Sequence, residues 1–164
     1  MEKKLDISVI SPVFNELENL ETFVESVTAV MNSTNMSWEL IIVDDGSNDG
    51  SSKILKKIGH QENIRSILLS KNYGQTTAIQ AGFDNAVGEY FVTLDSDLQN
   101  DPKDIPMLIQ KLINEELDLV VGWRKDRKDN YFFRNLPSIL ANKLIGTITG
   151  AVSYTHLTLP TTGS

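Results

Sequence analysis

The sequence predicts an α/β fold in which a mainly parallel sheet carries helices on both faces. Short runs of apolar and β-branched residues alternate with longer segments whose apolar residues recur at helical spacing. The short runs are continuously apolar, which is typical of strands that are buried on both faces. Regular alternation of such strands with helices is the pattern of a parallel sheet.

The first half of the chain contains two strand–helix units. Residues 5–13 are apolar and β-branched, and residues 17–30 then carry an apolar side chain every three or four positions. A second short apolar run covers residues 40–43. It is followed by the turn sequence GSNDGSS and by a helix that carries Ile54, Leu55 and Ile58.

The second half continues the alternation. Two further strands and two helices are predicted before residue 114, followed by a fifth strand and a last helix. In chain order these elements are a strand at 64–69, a helix at 74–87, a strand at 90–94, a helix at 105–113, a strand at 117–121 and a helix at about 133–148.

Composition excludes several classes of function. The 164 residues are 40% hydrophobic, which is enough for one domain with a sizeable core. The chain has no cysteine, so it has no disulfide, thiolate metal site or thiol nucleophile. Its two histidines lie in unrelated settings, which argues against a histidine-based zinc site or a Ser-His triad. The net charge of −7 argues against a nucleic-acid partner.

The ends of the chain lead to two further expectations. The N-terminus has no apolar segment of secretory length, and no run of about 18 apolar residues occurs, so a cytoplasmic domain is expected. Residues 152–164 are rich in threonine and do not continue the pattern. We predict that residues 1–151 belong to the folded domain, incomplete at its C-terminal side, and that 152–164 form a spurious or disordered tail.

Polar clusters follow the ends of the predicted strands. In a parallel sheet, ligands bind beyond the carboxyl ends of the strands. Polar residues after the third strand have the sequence KNYGQ, and acids follow three other strands. Several carboxylates at one edge repel one another unless a cation or hydrogen-bond donors compensate them, so this edge is predicted to be a site. The acids concerned are Glu16, Asp44, Asp45, Asp95 and Asp97.

The segment Asp95-x-Asp97-x-Gln99 is the candidate metal site. On an extended segment these three side chains point the same way, and their oxygen atoms suit Mg²⁺ or Mn²⁺. Spacing alone leaves turn formation as an equal alternative. Asp101, which precedes Pro102, is instead interpreted as a helix cap.

Two other segments carry candidate ligands. Asp44 and Asp45 end a buried strand, where an acid can accept a hydrogen bond from a nucleobase or a ribose, although a turn and a helix cap also explain part of this sequence. The basic stretch after the fifth strand would suit a diphosphate, with a solvated loop as the alternative. Arg124, directly after that strand, is its best candidate.

Five stretches together resemble the GT-A inverting glycosyltransferases, and within them the polyprenyl-phosphate sugar transferases. They occur in the family's order across about residues 5–150: ISPVFNELENL, LIIVDDGSNDGS, KNYGQTTAIQAGFDNAVGEY, VTLDSDLQNDPKDIP and GWRKDRKD. Residues 1–151 would then be the N-terminal part of a nucleotide-sugar-binding catalytic domain. The family continues into an Asp-x-Gly-Cys segment that is absent here, so the acceptor side stays unassigned.

The resemblance implies roles for matching residues. Pro12, Phe14 and Glu16 would grip the nucleotide, and Val43 and Asp45 would line its base pocket, with Asp44 structural. The segment that binds the divalent metal and the donor diphosphate is matched by Asp95, Ser96, Asp97 and Gln99, and Arg124 would reach the donor. Asp95, Asp97 and Arg124 are the implied catalytic residues.

The implied reaction moves a sugar from a nucleotide-sugar, with UDP the expected nucleotide, to a polyprenyl phosphate such as undecaprenyl phosphate. It requires Mg²⁺ or Mn²⁺ and takes place at the cytoplasmic face of a membrane, which other parts of the protein would contact. Three alternatives stay open: transfer to a saccharide hydroxyl, which needs a general base, a nucleotide-sugar-binding module without turnover, and a nucleotidyltransferase. The last is disfavoured because no Gly-rich phosphate loop follows the first strand.

Overall fold

A computed structural model of the chain describes residues 5–122. They form a four-stranded sheet in the order β3-β2-β1-β4, in which every neighbouring pair is parallel. The strands are β1 (Leu5–Val13), β2 (Trp38–Asp44), β3 (Ile64–Leu68) and β4 (Gly88–Thr93). The helices are α1 (Leu17–Asn32), α2 (Ser51–Ile58), α3 (Gln75–Asn85) and α4 (Asp104–Asn114).

Helices cover both faces of this sheet, as predicted. Successive residues of a strand face opposite sides, so each central strand supplies two cores. On one side Val9 and Leu40 belong to a large core with side chains of α1, α2 and α4. On the other side Ile41 and Val43 pack with Ala78 of α3. This double burial explains why β2 is apolar along most of its length.

The strand β4 is less buried than its apolar sequence suggests. Only one of its edges pairs with a described strand, and its residues alternate between half-buried and exposed. Tyr90 and Val92 pack against the large core, whereas Phe91 is 48% exposed and makes a T-shaped ring contact with Phe83, with centroids 5.5 Å apart. The expectation of a strand buried on both faces was therefore wrong for β4, because α3 covers mainly β1 and β2.

The fifth predicted strand, residues 117–121, is not a strand in the structure. The Leu117 N–H donates to Leu112 O (2.9 Å) and the Glu116 N–H to Ile113 O (3.3 Å), so this backbone ends α4. Glu116 has the left-handed conformation that such an ending requires (φ 51°). No described strand pairs with this segment, and Leu119 and Val121 are each 74% exposed.

Other predicted features lie outside the described residues. They are the helix at about 133–148, the tail at 152–164 and Arg124 with its basic stretch. Among the helices that the structure describes, none is long and apolar enough to cross a membrane.

The buried carboxylate of Glu39 links β1, β3 and the start of β4 near the amino end of the sheet. Glu39 Oε1 accepts hydrogen bonds from the Ser8 hydroxyl (2.6 Å) and the Val87 N–H (2.9 Å). Its Oε2 forms an ion pair with Arg65 Nη1 (3.2 Å). Ser8 Oγ also accepts the Gly88 N–H (2.9 Å). A Cβ on Gly88 would lie 2.5 Å from Ser8 N, so this close approach of β4 to β1 requires glycine.

A second carboxylate joins the starts of α1 and α2. Asp49 Oδ2 accepts the Leu17 N–H (2.9 Å), and its Oδ1 accepts the N–H (2.9 Å) and the hydroxyl (2.7 Å) of Ser51. Desolvation raises the pKa of Asp49, but these hydrogen bonds together outweigh it and hold the pKa below its ordinary value.

Two serines of β1 give a matched test of the amino-end network. Ser8 and Ser11 are both fully buried, but Ser11 Oγ has no hydrogen-bond partner among the described residues. We expect Ser8→Ala to lower the free energy of unfolding by about 1–3 kcal/mol, because Glu39 and Gly88 each lose a partner. Ser11→Ala should change it by less than about 0.5 kcal/mol. Urea denaturation measures both, and equal losses would contradict the assignment.

The pKa of Asp49 predicts a pH dependence of stability. Because its pKa is lowered in the folded state, the ionised carboxylate contributes stability above its unfolded pKa of about 4. That contribution is lost as the pH falls through the lower, folded pKa. Thermal unfolding of wild type and Asp49→Asn should therefore differ at pH 7, with wild type more stable, and converge in strong acid. A difference that stays constant across this range would refute the linkage.

Candidate functional site

The carboxyl ends of β1, β2 and β4 meet around a cavity of about 350 Å³. This volume lies within the range of small-molecule sites. The cavity is lined by Pro12, Val13, Phe14, Glu16, Asp45, Asn72, Gly74, Gln75, Asp95, Ser96 and Asp97.

The loop after β1 presents Phe14 and Glu16 to this cavity. Asn15 between them adopts the left-handed conformation (φ 57°), which asparagine tolerates better than most residues. Its N–H donates to Ser47 Oγ and its Oδ1 accepts the Asn48 N–H, both at 2.9 Å. These two bonds attach the loop to the turn after β2. Phe14 keeps 44% of its surface exposed, so its ring is open to a ligand.

Asp44 serves the turn after β2. Its side chain is buried, its Oδ1 accepts the Ser47 N–H (3.0 Å), and its Oδ2 accepts the Ser52 hydroxyl. Both partners lie between the end of β2 and the first turn of α2. Asp44 is not among the residues that line the cavity.

Asp45 binds the loop that precedes α3. Its Oδ1 accepts the Tyr73 N–H (2.7 Å) and its Oδ2 accepts the Gly74 N–H (2.8 Å). Its own N–H donates to Val13 O (2.8 Å). The residue is only 3% exposed, so two backbone donors compensate a nearly buried charge. A carboxylate oxygen can accept a second hydrogen bond, so Asp45 keeps capacity for a ligand.

The residues after β4 bring two carboxylates to the cavity. Asp95 Oδ1 accepts Gln75 Nε2 (2.9 Å), and Asp97 Oδ1 accepts the Gln99 N–H (3.0 Å). Ser96 between them is buried and donates its hydroxyl to Pro12 O (3.3 Å). This bond holds the segment against the end of β1. In each aspartate the second oxygen has no partner among the described residues.

Gln99 does not share the direction that an extended segment would give it. Leu98 adopts the left-handed conformation (φ 58°), so the chain bends between Asp97 and Gln99. Gln99 is exposed and is not part of the cavity wall. The shared direction of Asp95, Asp97 and Gln99 depends on an extended segment, which the bend after Asp97 interrupts, and a metal contact of Gln99 stays a prediction.

The donor set fits a divalent cation that takes part of its coordination from elsewhere. Asp95 and Asp97 supply hard carboxylate oxygens, which suit Mg²⁺ or Mn²⁺. Within residues 5–122, no group of three histidine or acidic side chains could hold a metal ion on its own. Mg²⁺ commonly binds through one or two carboxylates and completes its shell with water and phosphate oxygens. The described residues therefore fit a metal that is shared with a phosphate-bearing ligand.

The structure brings most of the predicted site residues together. Seven of them line the cavity: Pro12, Phe14, Glu16, Asp45, Asp95, Ser96 and Asp97. Val43 does not, because its side chain is fully buried in the core beside α3. Arg124 lies outside the described residues.

Three lining residues were absent from the predicted site. They are Asn72, Gly74 and Gln75, which follow β3. The signal for them was present, because the polar sequence KNYGQ follows a predicted strand. The sequence could not reveal that Asp45 binds this loop and turns it toward the cavity.

Asp45→Asn tests how the loop before α3 is held. An asparagine must place an NH₂ group opposite either the Tyr73 N–H or the Gly74 N–H, and two donors cannot bond each other. We expect a loss of about 1–3 kcal/mol in the free energy of unfolding, measured by urea denaturation. The control is Asp84→Asn. Asp84 is exposed on α3, and its Oδ1 accepts a hydrogen bond from Gln80 Nε2 that the amide oxygen of an asparagine can also accept. Equal stability of both variants would contradict the assignment.

Curated relatives are 42–49% identical to this chain over the part of their length that it covers. The chain is 49% identical over 150 residues to the dodecaprenyl-phosphate galacturonate synthase of Rhizobium johnstonii, covering 90% of the chain and 44% of that protein. It is 42% identical over 146 residues to the undecaprenyl-phosphate 4-deoxy-4-formamido-L-arabinose transferase of Salmonella paratyphi A, covering 88% and 44%. The chain thus spans 44% of the length of these relatives.

Solved structures share the fold. S. aureus TarS superposes with a TM-score of 0.56 at 20% identity, covering 75% of this chain and 23% of that one. A mannosyltransferase from Pyrobaculum calidifontis, in complex with GDP-Man and Mn²⁺, gives 0.54 at 19% identity, covering 68% and 33%. The fold is the α/β GT-A type that the sequence predicts. The sequence matches Glycosyl transferase family 2 over residues 8–162, and the chain therefore belongs to that family.

Proposed function

We propose that the chain is the donor-binding part of a metal-dependent, inverting glycosyltransferase. It transfers a sugar from a nucleotide-sugar, with UDP as the nucleotide, to a polyprenyl phosphate. The observation that carries this proposal is the meeting of Asp45, Asp95 and Asp97 at one cavity on the carboxyl edge of the sheet. The names of the two curated relatives support the class of acceptor.

The cavity wall suggests how the donor is bound. Phe14 offers an exposed aromatic face for the nucleotide, and Asp45 keeps lone pairs for a hydrogen bond from the base. Asp95 and Asp97 would hold Mg²⁺ or Mn²⁺ through the carboxylate oxygens that have no partner in the described part of the chain. When bound, this ion would supply the positive charge that offsets the charge of the departing nucleoside diphosphate. Gln99 and Arg124 remain predicted contacts of the metal and the donor.

The acceptor explains the absence of a base from the predicted catalytic set. A phosphate monoester is largely dianionic at pH 7, because its second pKa is about 6. Its oxygen attacks the anomeric carbon from the face opposite the diphosphate, which inverts that carbon. No general base is needed for this step, whereas transfer to a saccharide hydroxyl requires one. We place the reaction at the cytoplasmic face of a membrane, where a polyprenyl phosphate and a nucleotide-sugar can meet.

Calorimetry with UDP-sugars tests the metal assignment. We expect wild-type chain to bind the donor more tightly with Mn²⁺ than with EDTA, and Asp97→Ala to weaken the Mn²⁺-dependent binding by more than about tenfold. Asp101→Ala is the matched control, because Asp101 is exposed and lies outside the cavity wall, and its carboxylate accepts only the Lys103 N–H in the described part. Metal-independent binding that Asp97→Ala leaves unchanged would refute the assignment.

A transfer assay separates an enzyme from a binding module. Undecaprenyl phosphate and a labelled UDP-sugar are supplied together with Mn²⁺, and labelled lipid product is measured. Donor binding without product, in a protein extended to the full length of its relatives, would favour a module without turnover. In a parallel reaction that contains a saccharide acceptor instead of the lipid, product formed only there would favour the other transferase class.

A further inference from the structure

Gln75, the first residue of α3, links two strand ends that are distant in sequence. Its Nε2 donates to Asp95 Oδ1 at 2.9 Å, across 20 positions of the chain. A carboxylate only accepts hydrogen bonds, so the NH₂ group of the amide must face Asp95. Both residues line the cavity.

The backbone before Gln75 is held from the end of β2. Asp45 accepts the N–H groups of Tyr73 and Gly74, and Gly74 takes a φ of 95° as the chain enters α3. The turn after β2 also lies directly against this loop, since a Cβ on Gly46 would be 2.3 Å from Lys71 C. Gln75 therefore starts its helix from a fixed position.

The strand order explains why Gln75, from this position, can reach the segment after β4. Because β2 and β1 lie between β3 and β4, the chain after β3 must cross two strand ends before it reaches the side of β4. Gln75 lies on that crossing and bonds the first aspartate after β4. It thereby joins the loop held by Asp45 to the proposed metal ligands.

Asp95 needs such a donor for an electrostatic reason. Glu16, Asp45 and Asp97 line the same cavity, and no lysine or arginine of residues 5–122 does so. Repulsion among these carboxylates favours side-chain rotation of the least constrained acid. Gln75 supplies the side-chain hydrogen bond to Asp95, which fixes one oxygen and leaves the other for a ligand.

We propose that Gln75 is a positioning residue that acts through Asp95, holding this carboxylate in the orientation that binds the divalent cation of a metal–nucleotide complex. The inference rests on the proposed function. It adds a residue outside the predicted metal ligands and connects the nucleotide side of the cavity, at Asp45, with its metal side.

The test compares two glutamines of α3 that make the same kind of bond. Gln75→Met removes the amide opposite Asp95, and Gln80→Met removes the amide that donates to Asp84 Oδ1 (2.8 Å) away from the cavity. Calorimetry measures binding of UDP at a series of Mn²⁺ concentrations. We expect Gln75→Met to raise the Mn²⁺ concentration for half-maximal UDP binding about tenfold, the effect of one hydrogen bond to a charged group. Gln80→Met should leave it unchanged.

Two further readouts distinguish positioning from a general structural role. Excess Mn²⁺ should restore the wild-type number of UDP sites in Gln75→Met, because both aspartates remain. In an Asp95→Ala background, Gln75→Met should have no additional effect, because Gln75 then has no carboxylate to hold. Gln75→Leu repeats the test with a second helix-forming side chain, and thermal unfolding verifies that each variant is folded.

The possible results separate this inference from the proposed function. If wild type shows no Mn²⁺-dependent binding of UDP, both are wrong. If wild type binds in this way while Gln75→Met and Gln75→Leu bind equally well, the positioning role alone is overturned. Additive effects of Gln75→Met and Asp95→Ala would also overturn it, because they would show that Gln75 does not act through Asp95.

Discussion

The parallel pairing of β1 with β2 is the constraint on which the rest of the structure depends. The two strands are in register from Ile7 opposite Trp38 to Val13 opposite Asp44, and every residue of β2 is buried. Parallel strands end at the same edge, so the residues that follow them are brought together whatever their distance in sequence. The loop after β1, the turn after β2 and the segment after β4 therefore share one cavity.

The acids at this edge divide according to what compensates their charge. Asp44 and Asp45 are almost fully buried, and N–H and hydroxyl groups of neighbouring loops satisfy them. Buried acids of this kind hold loops in place, because an unpaired charge there would cost several kcal/mol. Asp95 and Asp97 are only half-buried, and each uses one oxygen within the described part. The first pair builds the cavity and the second keeps capacity for binding.

The sequence predicted the buried strands and the polar segments at their ends. It did not predict features that depend on local backbone conformation or on contacts between loops. Continuous apolar runs predicted β1 and β2 because both faces of these strands are covered, and the same reasoning overestimated the burial of β4 at the edge of the described sheet. Residues 117–121 looked like a strand, but Leu117 ends α4 and no described strand pairs with this segment. The bend before Gln99 was not predicted, because the left-handed conformation of Leu98 cannot be read from an Asp-x-Asp-x-Gln pattern. Gln75 was missed because its role depends on a contact with Asp95, 20 residues away.

The two ends of the sheet use carboxylates in opposite ways, and this contrast is the electrostatic reason to expect a cation at one of them. At the amino end, Glu39 is paired with Arg65 and accepts two further hydrogen bonds, so its charge is compensated by the chain itself. At the carboxyl end, four acids line a cavity in which the described chain supplies amide N–H donors to them but no cationic side chain. Dipolar donors offset the desolvation of each carboxylate but not the repulsion between them. A cation that arrives with its ligand would remove that repulsion, so we expect binding at this edge to be strongest for a ligand that brings a metal or a positive charge with it.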